Sequence, residues 1–359
     1  MGVVRGMKYL IGSSFFVIIT ILAIFFYPLD RFKQEEISYD DEQEGLSDQI
    51  IIRFSHVVAE NTPKGLAAQK FAELADEKTD GLVKVEVIPN GTLYTDEQEL
   101  DALMKNDVQM IAPSLSKMTK LAPEWGLFDL PFLFQKNEDI TSVFSSEIGS
   151  SFLRLHEDEN ITGMALWSNG FKQMTSSENP LKKPEDFKGQ RFRIMPSTMI
   201  EEQFKRLGVE PIVMPFDQVY MALEAEKFEG QENTISNIYS RRLYELQNYM
   251  TISNHGFLGY AVLMNKEFWD HLPEDVQSSL TDAMDEATAW MLEESLKMNK
   301  DQLRVIERES SIDIHYITEE ERKDWLDHLQ PVYQTFLQHV TEGFVREFVE
   351  ERIEYLEVQ

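Results

Sequence analysis

The chain has 359 residues, 42% of them hydrophobic, enough for a sizeable core and for roughly two domains at about 150 residues each. Lys and Arg total 34 against 63 Asp and Glu, and the resulting −29 repels phosphate backbones; with no basic patch to override it, nucleic acid is excluded as a partner. Cys is absent, which removes disulfide scaffolds, thiolate nucleophiles, thiolate metal sites and lipidated-cysteine anchors.

From Tyr9 to Leu29 no charged residue occurs, and 21 helical residues at about 1.5 Å each reach about 31 Å, close to the hydrocarbon thickness of a bilayer. Arg5 and Lys8 precede this run and no acidic residue comes before Asp30, so the positive-inside rule keeps the N-terminus in the cytoplasm and exports the chain beyond Leu29. A cleaved signal peptide has a shorter apolar core and small residues at its cut. Phe25-Phe26-Tyr27-Pro28 offers bulky ones, which favours an uncleaved anchor over residues 1–29. Residues 30–49, rich in Asp, Glu, Gln and Ser, read as a solvated linker. The expected location is the cell membrane, with a single-pass anchor and the bulk of the chain on the extracytoplasmic side.

Ile50 to Val58 is a β-rich apolar run, and Thr62-Pro63 comes next as N-cap and first-turn proline of a helix whose inner face is Ala67, Phe71, Leu74 and Ala75. Val83, Val85 and Val87 alternate with polar residues as a strand. Pro89-Asn90-Gly91 turns the chain, Asp96 to Lys105 forms a short helix, and Val108 to Ala112 a further strand. This series predicts a mostly parallel α/β sheet whose ligands bind outside the C-terminal strand ends, at Ser55-His56-Val57 and Pro113-Ser114. A second series runs through Ile161 to Trp167, Arg191 to Ile194, a helix capped by Ser197 and ending near Leu207, and strands at Glu210 to Val213 and Tyr260 to Met264. From Leu272-Pro273-Glu274-Asp275 a helical stretch reaches about Glu309, either one brace along two lobes or a helix broken within. Ile312, Ile314 and Tyr316 form a last strand, and two acidic amphipathic helices close the chain.

Few motifs carry chemistry. Pro63-Lys64-Gly65-Leu66 lacks the order of a phosphate-binding loop, and His156-Glu157 opens like a zinc-protease helix but meets Asn160 at the fifth position. No Gly-x-Ser-x-Gly elbow is present. Neither a metal, a cofactor nor catalysis is expected. In Arg191-Phe192-Arg193-Ile194-Met195, period-2 alternation puts both arginines on one face. One of them can hold a carboxylate bidentately in a cleft or pair with a surface acid, and the pattern allows both.

Arg193-Ile194-Met195-Pro196-Ser197, Met214-Pro215-Phe216-Asp217-Gln218-Val219-Tyr220-Met221-Ala222-Leu223 and Gly230-Gln231-Glu232-Asn233, in fixed order, resemble solute-binding proteins of tripartite ATP-independent periplasmic (TRAP) transporters. Phe54 to Gly65 and Trp167 to Thr175 resemble the C4-dicarboxylate-binding branch, DctP, and the anchor with its linker looks like the Gram-positive tethered version. The resemblance implies a two-lobed, periplasmic-binding-protein-like (type II-like) α/β fold with a long helix bracing both lobes. Lobe I is placed at 50–169 plus 259–298 and lobe II at 170–258 plus 299–350. It further implies a monomeric receptor, not an enzyme, that captures malate, fumarate or succinate and delivers it to TRAP membrane subunits. The alternative is a co-receptor working with a dicarboxylate carrier and a sensor histidine kinase.

By the same resemblance Arg193 pairs with a ligand carboxylate, Asn233 hydrogen-bonds it and Phe216 packs over the ligand. Lys172 stands where many relatives carry a second Arg and is expected at the other carboxylate, with Lys64, Ser114 and His56 as further contacts. Thr234 departs from the proline usual after Gly-Gln-Glu-Asn.

Overall fold

The computed structural model describes residues 49–340 and 343–357. The expected anchor at Tyr9 to Leu29 and most of the linker lie outside them. Among the described residues no helix is long and apolar enough to cross a membrane.

Nine strands form one mixed sheet: β1 (Ile50–Ser55), β2 (Val83–Ile88), β3 (Met110–Ile111), β4 (Ile161–Ser176), β5 (Arg191–Ile194), β6 (Glu210–Val213), β7 (Gly230–Thr234), β8 (Tyr249–Asn265) and β9 (Asp313–Tyr316). Their spatial order is β2-β1-β3-β8-β4-β7-β5-β6, with β9 beside β8. At one end β2, β1 and β3 are parallel, and at the other β7, β5 and β6 are parallel. The middle is antiparallel, β3 with β8, β8 with β4 and β4 with β7.

Most pairings are parallel, as expected, but the antiparallel centre makes the sheet a mixed one. The sequence pattern reaches only the apolar ends of β4 and β8, because Ser168-Asn169-Gly170 and His255-Gly256 interrupt the apolar run. In the fold β4 and β8 pair through register shifts at Gly163/Ala165 and Ser168/Gly170, where β4 carries one extra residue, and at Lys172/Met174, where four residues of β8 are unmatched, without either strand ending. β7 escapes the pattern because all five of its residues, four of them polar or charged, are buried.

The helix Pro63–Lys78 starts as expected: Thr62 caps it by accepting from the Gly65 amide at 3.2 Å, and Pro63 occupies its first turn. Gly65 is required there, since a Cβ would lie 2.5 Å from the carbonyl oxygens of Ala59 and Glu60. Ser197 stands at the N-cap of Thr198–Arg206 but makes no capping bond.

The long helix is a single element, Glu274–Glu309, of 36 residues and about 54 Å. Val276, Leu280, Ala283, Met284, Ala287 and Met291 form its buried stripe. It packs on helix Pro63–Lys78, on β4 and on helix Ile235–Ser240. Trp167 on β4 donates to Thr288 at 2.9 Å, and Asn299 bonds both the Asn169 carbonyl (2.9 Å) and the Ser236 amide (2.8 Å). The C-terminal region holds three helices where two were expected, because Pro331 opens a new one straight after Glu319–Leu329, before the last at Phe344–Glu357.

Candidate ligand-binding site

Six strand ends meet at one narrow cavity. Lys64, Asp96 and Ser114, which come after β1, β2 and β3, line one side. Arg193 on β5, Phe216 after β6 and Asn233 on β7 line the other, and Leu258 and Tyr260 of β8 lie between. These are the C-terminal ends of the parallel strands, where α/β sheets place ligands.

Arg191 and Arg193 share a face yet meet different surroundings. Arg191 pairs with Glu229 near the surface. Arg193 is only 1% exposed; its Nε donates to the Met214 carbonyl at 3.0 Å, while its buried Nη1 has no hydrogen-bond partner. Burial pushes the guanidinium down to about 10, and Asp96, Glu232 and Asp217 act to keep it charged without bonding it. A buried cation with an unused donor on a cavity wall is matched by an anion.

Asn233 is oriented for the same partner. Its Oδ1 accepts from the Thr234 amide (3.1 Å) and from Asn237 Nδ2 (2.8 Å), leaving its NH₂ as the donor at the wall. The departure at Thr234 leaves the backbone as a proline would have it, since Thr234 has φ −71°.

Across the cavity, Lys64 is buried, donates to the Ala112 carbonyl at 2.8 Å and lies 4.1 Å from the centroid of the Tyr260 ring. Burial pushes this ammonium down to about 8, against the pull of Glu99 and Asp96. Arg241 spans the two sides: its guanidinium is 5.3 Å from the Phe216 ring centroid and its Nη2 donates to the Val57 carbonyl at 3.2 Å. The lining therefore offers separate cations, donors between them and apolar faces at Phe216, Met195 and Leu258. Among the described residues, no group of three or more His, Asp or Glu side chains is disposed to hold a metal ion.

Two expected contacts are not in the lining. Lys172 is buried in an ion pair with Glu232 at 2.7 Å, and Glu232 also meets His255 at 2.8 Å, so the Lys172 ammonium is engaged in the interior. His56 is also buried outside the lining, with neither ring nitrogen hydrogen-bonded. Burial and the nearby Lys64 charge push it down to about 3, so it is neutral. Sequence reasoning in turn passed over Asp96, Asn237 and Tyr260. Asn237 lies four residues after Asn233, on the helix Ile235–Ser240 that follows β7; Asp96 was assigned to a helix that begins only at Glu99.

Ser253, His255 and Glu232 form a hydrogen-bonded row, at 2.7 and 2.8 Å, of the residue types found in hydrolytic triads. All three are buried and none lines the cavity. The lining presents fixed hydrogen-bond donors and cations, an arrangement suited to an anionic ligand.

The fold and this cavity define a periplasmic-binding-protein-like solute receptor. The profile of bacterial extracellular solute-binding protein family 7, DctP, matches residues 54–339, and the chain belongs to that family of binding proteins. It is 46% identical over 330 residues to the C4-dicarboxylate-binding protein DctB of Bacillus subtilis, covering 92% of this chain and 94% of that one. A TRAP periplasmic solute-binding protein of Shewanella oneidensis, with bound succinate, superposes with TM-score 0.81 at 38% identity, covering 85% of this chain and 99% of its own. One from Pseudomonas aeruginosa, with bound L-malate, gives TM-score 0.77 at 35% identity over 80% and 99% of the two chains.

Proposed function

We propose that the protein captures a C4-dicarboxylate outside the cytoplasmic membrane and hands it to the membrane subunits of a TRAP transporter. The observation that carries this is Arg193, a buried guanidinium on a cavity wall with an unused Nη1 donor, facing Lys64 across the cavity. Arg193 and the Asn233 amide hold one carboxylate, Lys64 and Ser114 the other, and Phe216 packs against the carbon chain. Separate cations set a preferred distance between carboxylates, so spacing selects the diacid. Relatives named for C4-dicarboxylates and related structures holding succinate or malate support the same class.

In this reading the body closes as two lobes, residues 50–169 plus 259–298 and 170–258 plus 299–350, and acts as a monomer tethered by an uncleaved helix over Tyr9 to Leu29. No observation on the described residues favours the co-receptor alternative.

The test is a thermal-shift panel of malate, fumarate, succinate, aspartate, 2-oxoacids and a sialic acid. A ligand at 100 times its Kd adds about 2.7 kcal/mol, enough to move the midpoint by several degrees. Stabilisation by C4-diacids alone, lost in Arg193→Ala with the apo midpoint intact, is expected; stabilisation by monoacids or sugar acids alone would overturn the substrate class.

A further inference from the structure

One acidic side chain, Asp96, lines the cavity among its cations. An ionised carboxylate there opposes an anionic ligand unless its charge is offset. Lys117 offsets it in part, its buried ammonium bonding Oδ1 at 2.9 Å. Burial would push Asp96 up, but Lys117, Lys64 and Arg193 together hold it below the usual carboxylate range. It is therefore a pure acceptor. Its Oδ2 receives no hydrogen bond from the described residues, and the side chain keeps 15% of its surface exposed. Every other polar side chain lining the cavity can donate; the acceptor-only side-chain oxygens without a partner are Asp96 Oδ2 and the buried Asn237 Oδ1, and of the two only the Asp96 oxygen carries charge.

We propose that Asp96 reads a hydroxyl on the ligand's carbon chain, so that the site prefers a 2-hydroxy C4-dicarboxylate to the unsubstituted one. The inference rests on the C4-dicarboxylate reading above. A hydroxylated diacid gives Oδ2 a charge-assisted hydrogen bond. An unsubstituted one brings negative charge to the same wall and leaves that oxygen desolvated and unmatched, which is discrimination by a repulsive element as well as an attractive one.

Isothermal titration of the full-length protein with malate (each enantiomer), succinate and 2-fluorosuccinate tests this, the fluorine standing where the hydroxyl would be but donating nothing. One malate enantiomer is expected to bind about tenfold tighter than succinate or 2-fluorosuccinate. Asp96→Asn should bring malate and succinate within about threefold by strengthening succinate. Equal affinities for malate and succinate in the wild type, or a malate preference unchanged in Asp96→Asn, would overturn the role of Asp96. If the variant does not fold, the wild-type comparison of malate with 2-fluorosuccinate decides alone. Absence of binding by all the diacids would instead remove the C4-dicarboxylate reading, and this inference with it.

Discussion

Lys172 on β4 and Glu232 on β7 meet at 2.7 Å in the interior, and Glu232 immediately precedes Asn233. Burial would push Glu232 up, but Lys172 and His255 hold it down to about 2. Lys172→Met would leave this carboxylate buried without its nearest cation. A loss of about 3–5 kcal/mol in denaturant unfolding is expected, with the double variant Lys172→Met/Glu232→Gln recovering much of it. Affinities for monoacids and diacids should fall together; a selective loss of diacids would return Lys172 to the second carboxylate.

Arg193→Lys keeps the charge but loses the planar fork. Ligand affinity should drop about 100-fold, about 2.7 kcal/mol, while the unfolding midpoint without ligand stays unchanged. Binding within a few-fold of wild type, read by titration calorimetry, would mean that Arg193 acts only as a point charge.

His56 and Glu232 both contribute to the acid side of stability, in windows that overlap. His56 titrates near 3 in the fold against 6.5 free, so as pH falls below 6.5 the unfolded chain takes up a proton that the native state refuses. That removes about 1.4 kcal/mol per pH unit until pH nears 3. Glu232, at about 2 against 4.5, contributes stability that is complete above 4.5 and lost as pH falls towards 2. Between pH 6.5 and 4.5, His56→Asn should change the slope of stability against pH by about 1.4 kcal/mol per unit relative to wild type, in the direction of less loss on acidification. An unchanged slope in that upper window would show that His56 is already accessible to protons.

Asn299 is the only side chain of the long helix that hydrogen-bonds both Asn169 and Ser236 among the described residues. Asn299→Ala should lower stability by about 1–3 kcal/mol, because it leaves a half-buried amide and carbonyl without partners. A change under about 0.5 kcal/mol in chemical denaturation would mean water replaces both bonds.

Where local pattern and tertiary burial agree, the fold was legible: the Thr62-Pro63 helix start, the alternation of β2 and the helical character of Glu274–Glu309 follow from spacing, whereas the continuity of that last helix did not. The extensions of β4 and β8 were not, because polar residues and glycines near the register shifts break the alternation while the strands continue in the same sheet. The site divides along the same line. Arg193, Asn233, Phe216, Lys64 and Ser114 come together at strand ends in one lining. Lys172, within β4, and His56, just past β1, turn into the interior, and no sequence signal separates a cation aimed at a cavity from one aimed at a buried Glu232. Asp96 is hidden among 63 acidic residues, and only its position after β2 beside Lys117 singles it out.

The 36-residue helix also fixes angular phase. Each residue of an α-helix turns its successors by about 100°, so one residue inserted between Met291 and Asn299 would swing Asn299 and Ile306 a quarter-turn or more off their partners while Val276 to Ala287 stayed in place. Three or four residues would nearly restore the angle but slide the distal contacts along the axis by about 5 Å. In a chain whose surface loops can absorb changes of length, this one segment should resist insertion and deletion almost completely.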